Sequence, residues 1–114
     1  VAKDEGRAVK LLMQASEAGE LRATYNLGVL TMHGRGVTQS IQKASDLIRR
    51  AADKGLKEAQ HAISVWYRTG TNKVKLDVRK SMQWARLAAD QGHTEAMHNL
   101  GLGYLNGDGV GRDE

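Results

Sequence analysis

Three stretches of this chain can be laid over one another: Ala23-Thr-Tyr-Asn-Leu-Gly28, Ala59-Gln-His-Ala-Ile-Ser64 and Ala96-Met-His-Asn-Leu-Gly101. Their spacings are 36 and 37 residues. A second pattern keeps the same period: Ala15-Ser-Glu-Ala-Gly19, Ala51-Ala-Asp-Lys-Gly55 and Ala88-Ala-Asp-Gln-Gly92. Gly34, Gly70 and Gly107 mark it a third time. A period of about 20–50 residues means stacked supersecondary units, each too small to bury its own apolar face. The expected architecture is therefore all-α, a solenoid of stacked antiparallel helix pairs. Function is expected on a surface rather than in a catalytic pocket.

Each unit divides into two helices. Helix A is predicted over 21–33, 57–69 and 94–106, and helix B over 4–18, 40–54 and 77–91. At 100° per residue, Ala23, Leu27, Leu30, Thr31 and Gly34 share one face of the first A helix. The matching sets are Ala59, Ile63, Trp66, Tyr67 and Gly70, then Ala96, Leu100, Gly103, Tyr104 and Gly107. The B-helix core columns are Ala8/Ala44/Ser81, Leu11/Leu47/Trp84, Leu12/Ile48/Ala85 and Ala15/Ala51/Ala88. The chain has 114 residues, no Pro, no Phe and no Cys. Without Pro, glycine must end the helices. Gly19, Gly55 and Gly92 fit the left-handed residue that closes a helix C-terminus. Gly34-Arg-Gly36-Val37 and Gly107-Asp-Gly109-Val110 read as the A-to-B loops. The middle copy reads Gly70-Thr-Asn72-Lys and carries one inserted residue; Asn also tolerates the left-handed region. Thr38 or Ser40, and Asp77, are suited to cap the following B helices.

These residues resemble the Sel-one-like repeat family, a relative of the tetratricopeptide repeat. Its pattern, Ala-x-x-x-Leu-Gly-x-x-Tyr-x-x-Gly-x-Gly-Val, appears as Ala96 to Val110. Its second half, Asp-x-x-Lys-Ala-x-x-(Trp/Leu)-x-x-x-Ala-Ala-x-x-Gly, appears as Asp77 to Gly92, with Ser81 in place of Ala. The first A helix departs with Thr31 for Tyr and the second with Ser64 for Gly. The resemblance implies a right-handed α-α superhelix used for protein–protein interaction, often as a scaffold or adaptor, and no catalytic residues to carry over. The domain organisation expected is one repeat domain over 1–114: a half repeat 1–19, repeats 20–55 and 56–92, and a half repeat 93–114, as a fragment of a longer solenoid.

Chemical motifs are weak. Gly107-Asp-Gly109-Val-Gly111 looks like part of a phosphate cradle, but such loops follow a strand and open a helix. His93-Thr-Glu95-Ala-Met-His98 spaces its histidines by five, where zinc on a helix wants i and i+4. His61 occupies the column of His98, which points to a repeat position instead. No nucleophile is paired with a base. The expectation is therefore no enzyme, no catalytic residue, no cofactor and no metal. No apolar run approaches the roughly 18 residues of a membrane span.

Two features are suited to recognition. The A-helix face turned away from its B helix carries Tyr25, Val29 and His33, then His61, Val65 and Thr69, then His98, Leu102 and Asn106. In helical-hairpin solenoids this face tends to line the concave groove, and Asn26 and Asn99 flank it as amides for a peptide backbone. The candidate partner-binding set is Tyr25, Asn26, Val29, His33, His61, Val65, His98, Asn99 and Leu102. The competing reading packs Val29, Val65 and Leu102 against neighbouring A helices. The second feature is charge: 17 Lys and Arg against 13 Asp and Glu, a formal net of +4. Lys73, Lys75, Arg79, Lys80 and Arg86 concentrate the excess, with Lys43, Arg49, Arg50 and Lys54 on the preceding B helix. An acidic protein or nucleic-acid phosphates would suit them, but the repeat columns are largely apolar, which ranks RNA below protein. A peptide or protein partner is the leading expectation. Nucleic-acid binding, or positioning of a larger enzyme, stands as the alternative. Leu100, Leu102, Tyr104 and Leu105 at one end, and Val9, Leu11, Leu12 and Met13 at the other, are expected to be exposed and to favour self-association.

Overall fold

A computed structural model describes residues 4–107. It holds six α-helices and, among the described residues, no strand: α1 (Glu5–Glu17), α2 (Leu21–His33), α3 (Ile41–Asp53), α4 (Lys57–Thr69), α5 (Val78–Asp90) and α6 (Thr94–Asn106). The odd-numbered helices are the predicted B helices and the even-numbered ones the A helices. Most of the loop Gly107–Gly111 lies outside the described residues.

Local chemistry sets the boundaries. Asp4, Ser40 and Asp77 precede α1, α3 and α5, and each side chain accepts an amide of the first turn, from Arg7, Lys43 and Lys80. That satisfies one of the donors a helix start leaves open. Gly34 and Gly70 end α2 and α4 at φ 68° and 70°, in the left-handed region. Both loops then anchor alike: the Ser40 amide donates to the Thr31 carbonyl at 3.1 Å, and the Asp77 amide to the Tyr67 carbonyl at 2.8 Å. The middle loop takes its inserted residue by placing Asn72 and Lys73 at φ 55° and 63°.

The chain forms two compact units, Val1–Lys54 and Gly55–Glu114. In the first, α2 packs against both α1 and α3. Its core is Val9, Ala23, Ala44, Ile48, Ala51 and Ala52. The α2–α3 approach is close: a β-carbon at Gly28 would lie 2.8 Å from Ile48 Cγ1 and 3.2 Å from the Ala44 carbonyl oxygen. Buried Thr24 shares a 2.6 Å hydrogen bond with Ser16. Three positions differ from the helical-wheel reading of α1. Val9 is buried, whereas Ala8 is exposed and Leu11 is 60% exposed. At the equivalent position α5 likewise buries Met82, while Leu12 and Ala15 of α1 stay half-buried on the inner face.

In the second unit α5 packs against both α4 and α6. Its core is Ala59, Ile63, Trp66, Met82, Ala85, Ala88 and Ala96. Ser64, where the first unit has Gly28, is fully buried, and its carbonyl accepts a 2.8 Å hydrogen bond from Ser81 Oγ. Gln91 Nε2 donates to the Gly55 carbonyl at 2.8 Å and to buried Gln60 Oε1 at 2.9 Å, tying the end of α5 to the start of α4.

Candidate interaction groove

Seven residues of α4 and α6 enclose a hollow of about 490 Å³ in the second unit: His61, Val65 and Arg68 from α4, and Thr94, Glu95, His98 and Asn99 from α6. The spacing i, i+4, i+7 on α4 puts its three residues on one face. A second hollow of about 210 Å³ is lined by Val78, Ser81 and Met82 of α5 and by Arg68, Asn99, Leu102, Gly103 and Asn106. Arg68 and Asn99 line both. The pair therefore stands where a polar hollow gives way to a mostly apolar one.

The polar end is organised by histidine. The His61 and His93 rings stack with centroids 4.5 Å apart at 28°. His93 Nδ1 accepts the Ala96 amide at 3.2 Å and so caps α6. That bond leaves Nδ1 as an acceptor and fixes the ring at the helix start. His61 is half-buried, with Nε2 3.4 Å from Glu95 Oε2 and Nδ1 buried without a hydrogen-bond partner. Burial, first, and then the neighbouring His93 hold its pKa below the usual imidazole range; Arg68 acts in the same direction, and Glu95 opposes them. His61 is thus a neutral ring at neutral pH. The Arg68 side chain is exposed and has no ion pair among the described residues.

The sequence-predicted positions divide between the units. His61, Val65, His98, Asn99 and Leu102 line the two hollows. Tyr25, Asn26, Val29 and His33 lie on α2 of the first unit, with Tyr25 and Val29 half-buried and Asn26 and His33 exposed. Sequence reasoning missed Arg68, Glu95 and Thr94 as lining residues. Arg68 was findable, seven residues beyond His61 on the same helical face. Val78 and Met82 come from a B helix and carry no periodic signal toward an A-helix groove.

The basic loop after α4 forms a separate cleft of about 380 Å³ with Tyr67, Val74, Lys75, Leu76, Asp77 and Lys80, where the Lys80 ammonium sits 5.5 Å from the Tyr67 ring centroid. Arg86 donates to the Tyr104 hydroxyl. Among the described residues, no group of three or more His, Cys, Asp or Glu is placed to hold a metal, and no helix is long and apolar enough to cross a membrane. Of the end residues, Leu11, Met13, Leu102 and Leu105 are exposed, Leu12, Leu100 and Tyr104 are half-buried, and Val9 is buried.

Comparison with known proteins agrees with the repeat fold. The Sel1 repeat model matches residues 1–20, 21–56, 57–93 and 94–114. Among solved structures, the chain is similar to a protective antigen present in uropathogenic Escherichia coli strains, displaying an SLR fold. That match has 39% identity and a TM-score of 0.86, over 98% of this chain and 24% of the antigen. It is also similar to a Sel1 repeat protein from Oxalobacter formigenes, at 34% identity and a TM-score of 0.87, over 96% of this chain and 44% of that one. The chain thus spans less than half the length of either. No curated protein matches it.

Proposed function

This chain belongs to the Sel1 repeat family of α-solenoids, whose members are generally protein–protein interaction scaffolds, and from that premise we propose that it is a non-enzymatic module that holds a peptide or protein segment along α4 and α6. The observation that carries the reading is the pair of hollows sharing Arg68 and Asn99. A peptide needs amide partners for its backbone and apolar seats for its side chains. Asn99 and His98 supply the first; Val65 and Leu102 supply the second. The α4–α5 and α5–α6 contacts hold these residues in place before any partner arrives, which lowers the ordering cost of binding. Tyr25, Asn26, Val29 and His33 offer a corresponding A-helix surface in the first unit.

The test compares two sets of substitutions on peptides selected from a random display library. Val65→Asp and His98→Ala should weaken binding, while Arg79→Glu with Lys80→Glu should leave it nearly unchanged. Tight oligonucleotide binding at physiological salt, abolished by the charge reversal and falling steeply as salt rises, would favour the nucleic-acid reading instead.

A further inference from the structure

We propose that the occupant of this groove is an extended segment that carries an acidic side chain within two positions of an apolar one. The carboxylate would be held by Arg68 and Asn99, and the apolar side chain seated between Met82 and Leu102. The inference rests on the groove reading above and adds the chemistry of the partner.

The argument is one of unmatched groups. The formal charges lining the polar hollow are Arg68 and Glu95, with His61 and His98 as the titratable rings. Glu95 has a neighbour in the neutral His61 ring, whose Nε2 lies 3.4 Å from its carboxylate, while the Glu95 side chain itself stays exposed to water. Arg68 has no such partner among the described residues. A guanidinium presents its donors in a planar fork that fits a carboxylate in two parallel hydrogen bonds. Asn99 lines the same boundary and has an amide N–H₂ to add to that fork. The chain's net +4 charge favours the approach of an acidic segment over a basic one.

The second hollow fixes what stands beside the acid. Its walls include Val78, Met82 and Leu102, and Leu102 is 43% exposed. Met82 is an adaptable wall: its Cε sits where a β-carbon at Gly103 would lie, so the bare glycine makes room for an unbranched thioether. Since Arg68 and Asn99 line both hollows, the acidic and apolar side chains of one ligand must lie close along its chain. In an extended segment, residues two apart share a face about 7 Å apart.

A random-peptide display library, selected on the whole chain, tests this. Enriched sequences should pair Asp or Glu with Leu, Ile or Met within two positions. Arg68→Gln should weaken the selected peptides roughly ten- to a hundred-fold, the range of a lost charge-assisted hydrogen bond. Arg68→Glu should switch the enrichment to Lys or Arg, a reversal that no folding defect would produce. Leu102→Ser should erase the apolar preference and leave the acidic one. Peptides that need Val65 and Leu102 but show no acidic preference would overturn this inference and leave the groove standing. So would Arg68-dependent binding that survives Glu→Gln in the peptide but not amidation of its C-terminus, because the ligand would then be a terminal carboxylate. No enrichment at all, or binding that survives Val65→Asp with Leu102→Asp, would overturn the groove reading itself.

Discussion

The α2–α3 and α4–α5 hairpins occupy the same place in successive repeats, yet they fill their closest contact differently. In the first, a bare Gly28 lies under a branched Ile48, with Ala44 beside them. In the second, the equivalent positions are Ser64, Ala85 and Ser81. The A helix has gained a side chain, the B helix has lost one, and Ser81 Oγ bonds the Ser64 carbonyl at 2.8 Å. Volume has moved from one helix to the other while the sum stays close, as a densely packed interior requires. A repeat position therefore specifies a combined volume and a satisfied polar group, not a residue.

The comparison breaks most visibly at Ile48. It is 2% exposed, so Ile48→Ala should cost about 2–5 kcal/mol in chemical denaturation. Leu47, on the same helix but only half-buried, should cost less. A loss under about 0.5 kcal/mol at both would show that the α2–α3 core is misplaced.

Gly28→Ser should cost less, about 1–3 kcal/mol, because the new β-carbon meets Ile48 Cγ1 at 2.8 Å. The sharper measurement is the double-mutant cycle. Gly28→Ser with Ile48→Ala recreates the Ser64/Ala85 solution and should recover about 0.5–3 kcal/mol relative to the sum of the single changes. Adding Ala44→Ser installs the equivalent of Ser81. Strict additivity would mean that the two hairpins are not alternative packings of one slot.

Much of this was legible in the sequence, for reasons the two hairpins make plain. Glycine and a capping Ser or Asp act within a few residues, so the six helices fall where their spacing predicts. Ser64 and Ser81 were readable as small packing residues. Thr24 and Gln60 were not: both are polar on α2 and α4, yet both are buried, with Thr24 Oγ1 bonded to Ser16 on α1 and to the Glu20 carbonyl, and Gln60 Oε1 accepting from Gln91 on α5. Val9 was misread because its column, Val9/Ser45/Met82, repeats no residue type, although α5 buries Met82 there as α1 buries Val9. In the groove, His61, Val65, His98, Asn99 and Leu102 followed from the A-helix period. Arg68 did not, since a charged residue on that period reads as solvated surface, and Met82 enters from another helix.

Smaller effects come from the polar devices of the second hairpin. Asp77→Ala removes the α5 cap and should cost about 1 kcal/mol. Ser81→Ala removes the bond to Ser64 and should cost about 0.5–1.5 kcal/mol. Ser40→Ala, the corresponding cap in the first hairpin, should match Asp77→Ala in thermal or urea unfolding. A much larger effect at Ser81 than at either cap would mean that the hydrogen bond, rather than volume, sets the α4–α5 spacing.

The smallest expected difference is in pH response. The repeat position of Tyr25 in the first unit is occupied by His61 in the second. Burial and the stacked His93 ring hold His61 below its ordinary pKa, with Arg68 acting the same way and Glu95 against them. The folded chain therefore resists a proton that the unfolded chain accepts near pH 6.5. The sign follows: the stability linked to neutral His61 is present above about pH 6.5 and is lost as pH falls toward the lower folded value. His61→Gln should flatten the slope of stability against pH below about 6.5, measured by urea unfolding at a series of pH values, while Tyr25→Phe should leave that slope as it was. Glu95→Gln separates the contributions further. It removes the group that favours the charged ring, so it should steepen the loss on acidification. An unchanged slope in His61→Gln would show that the stacked pair carries no proton linkage, and that the two units differ here in packing alone.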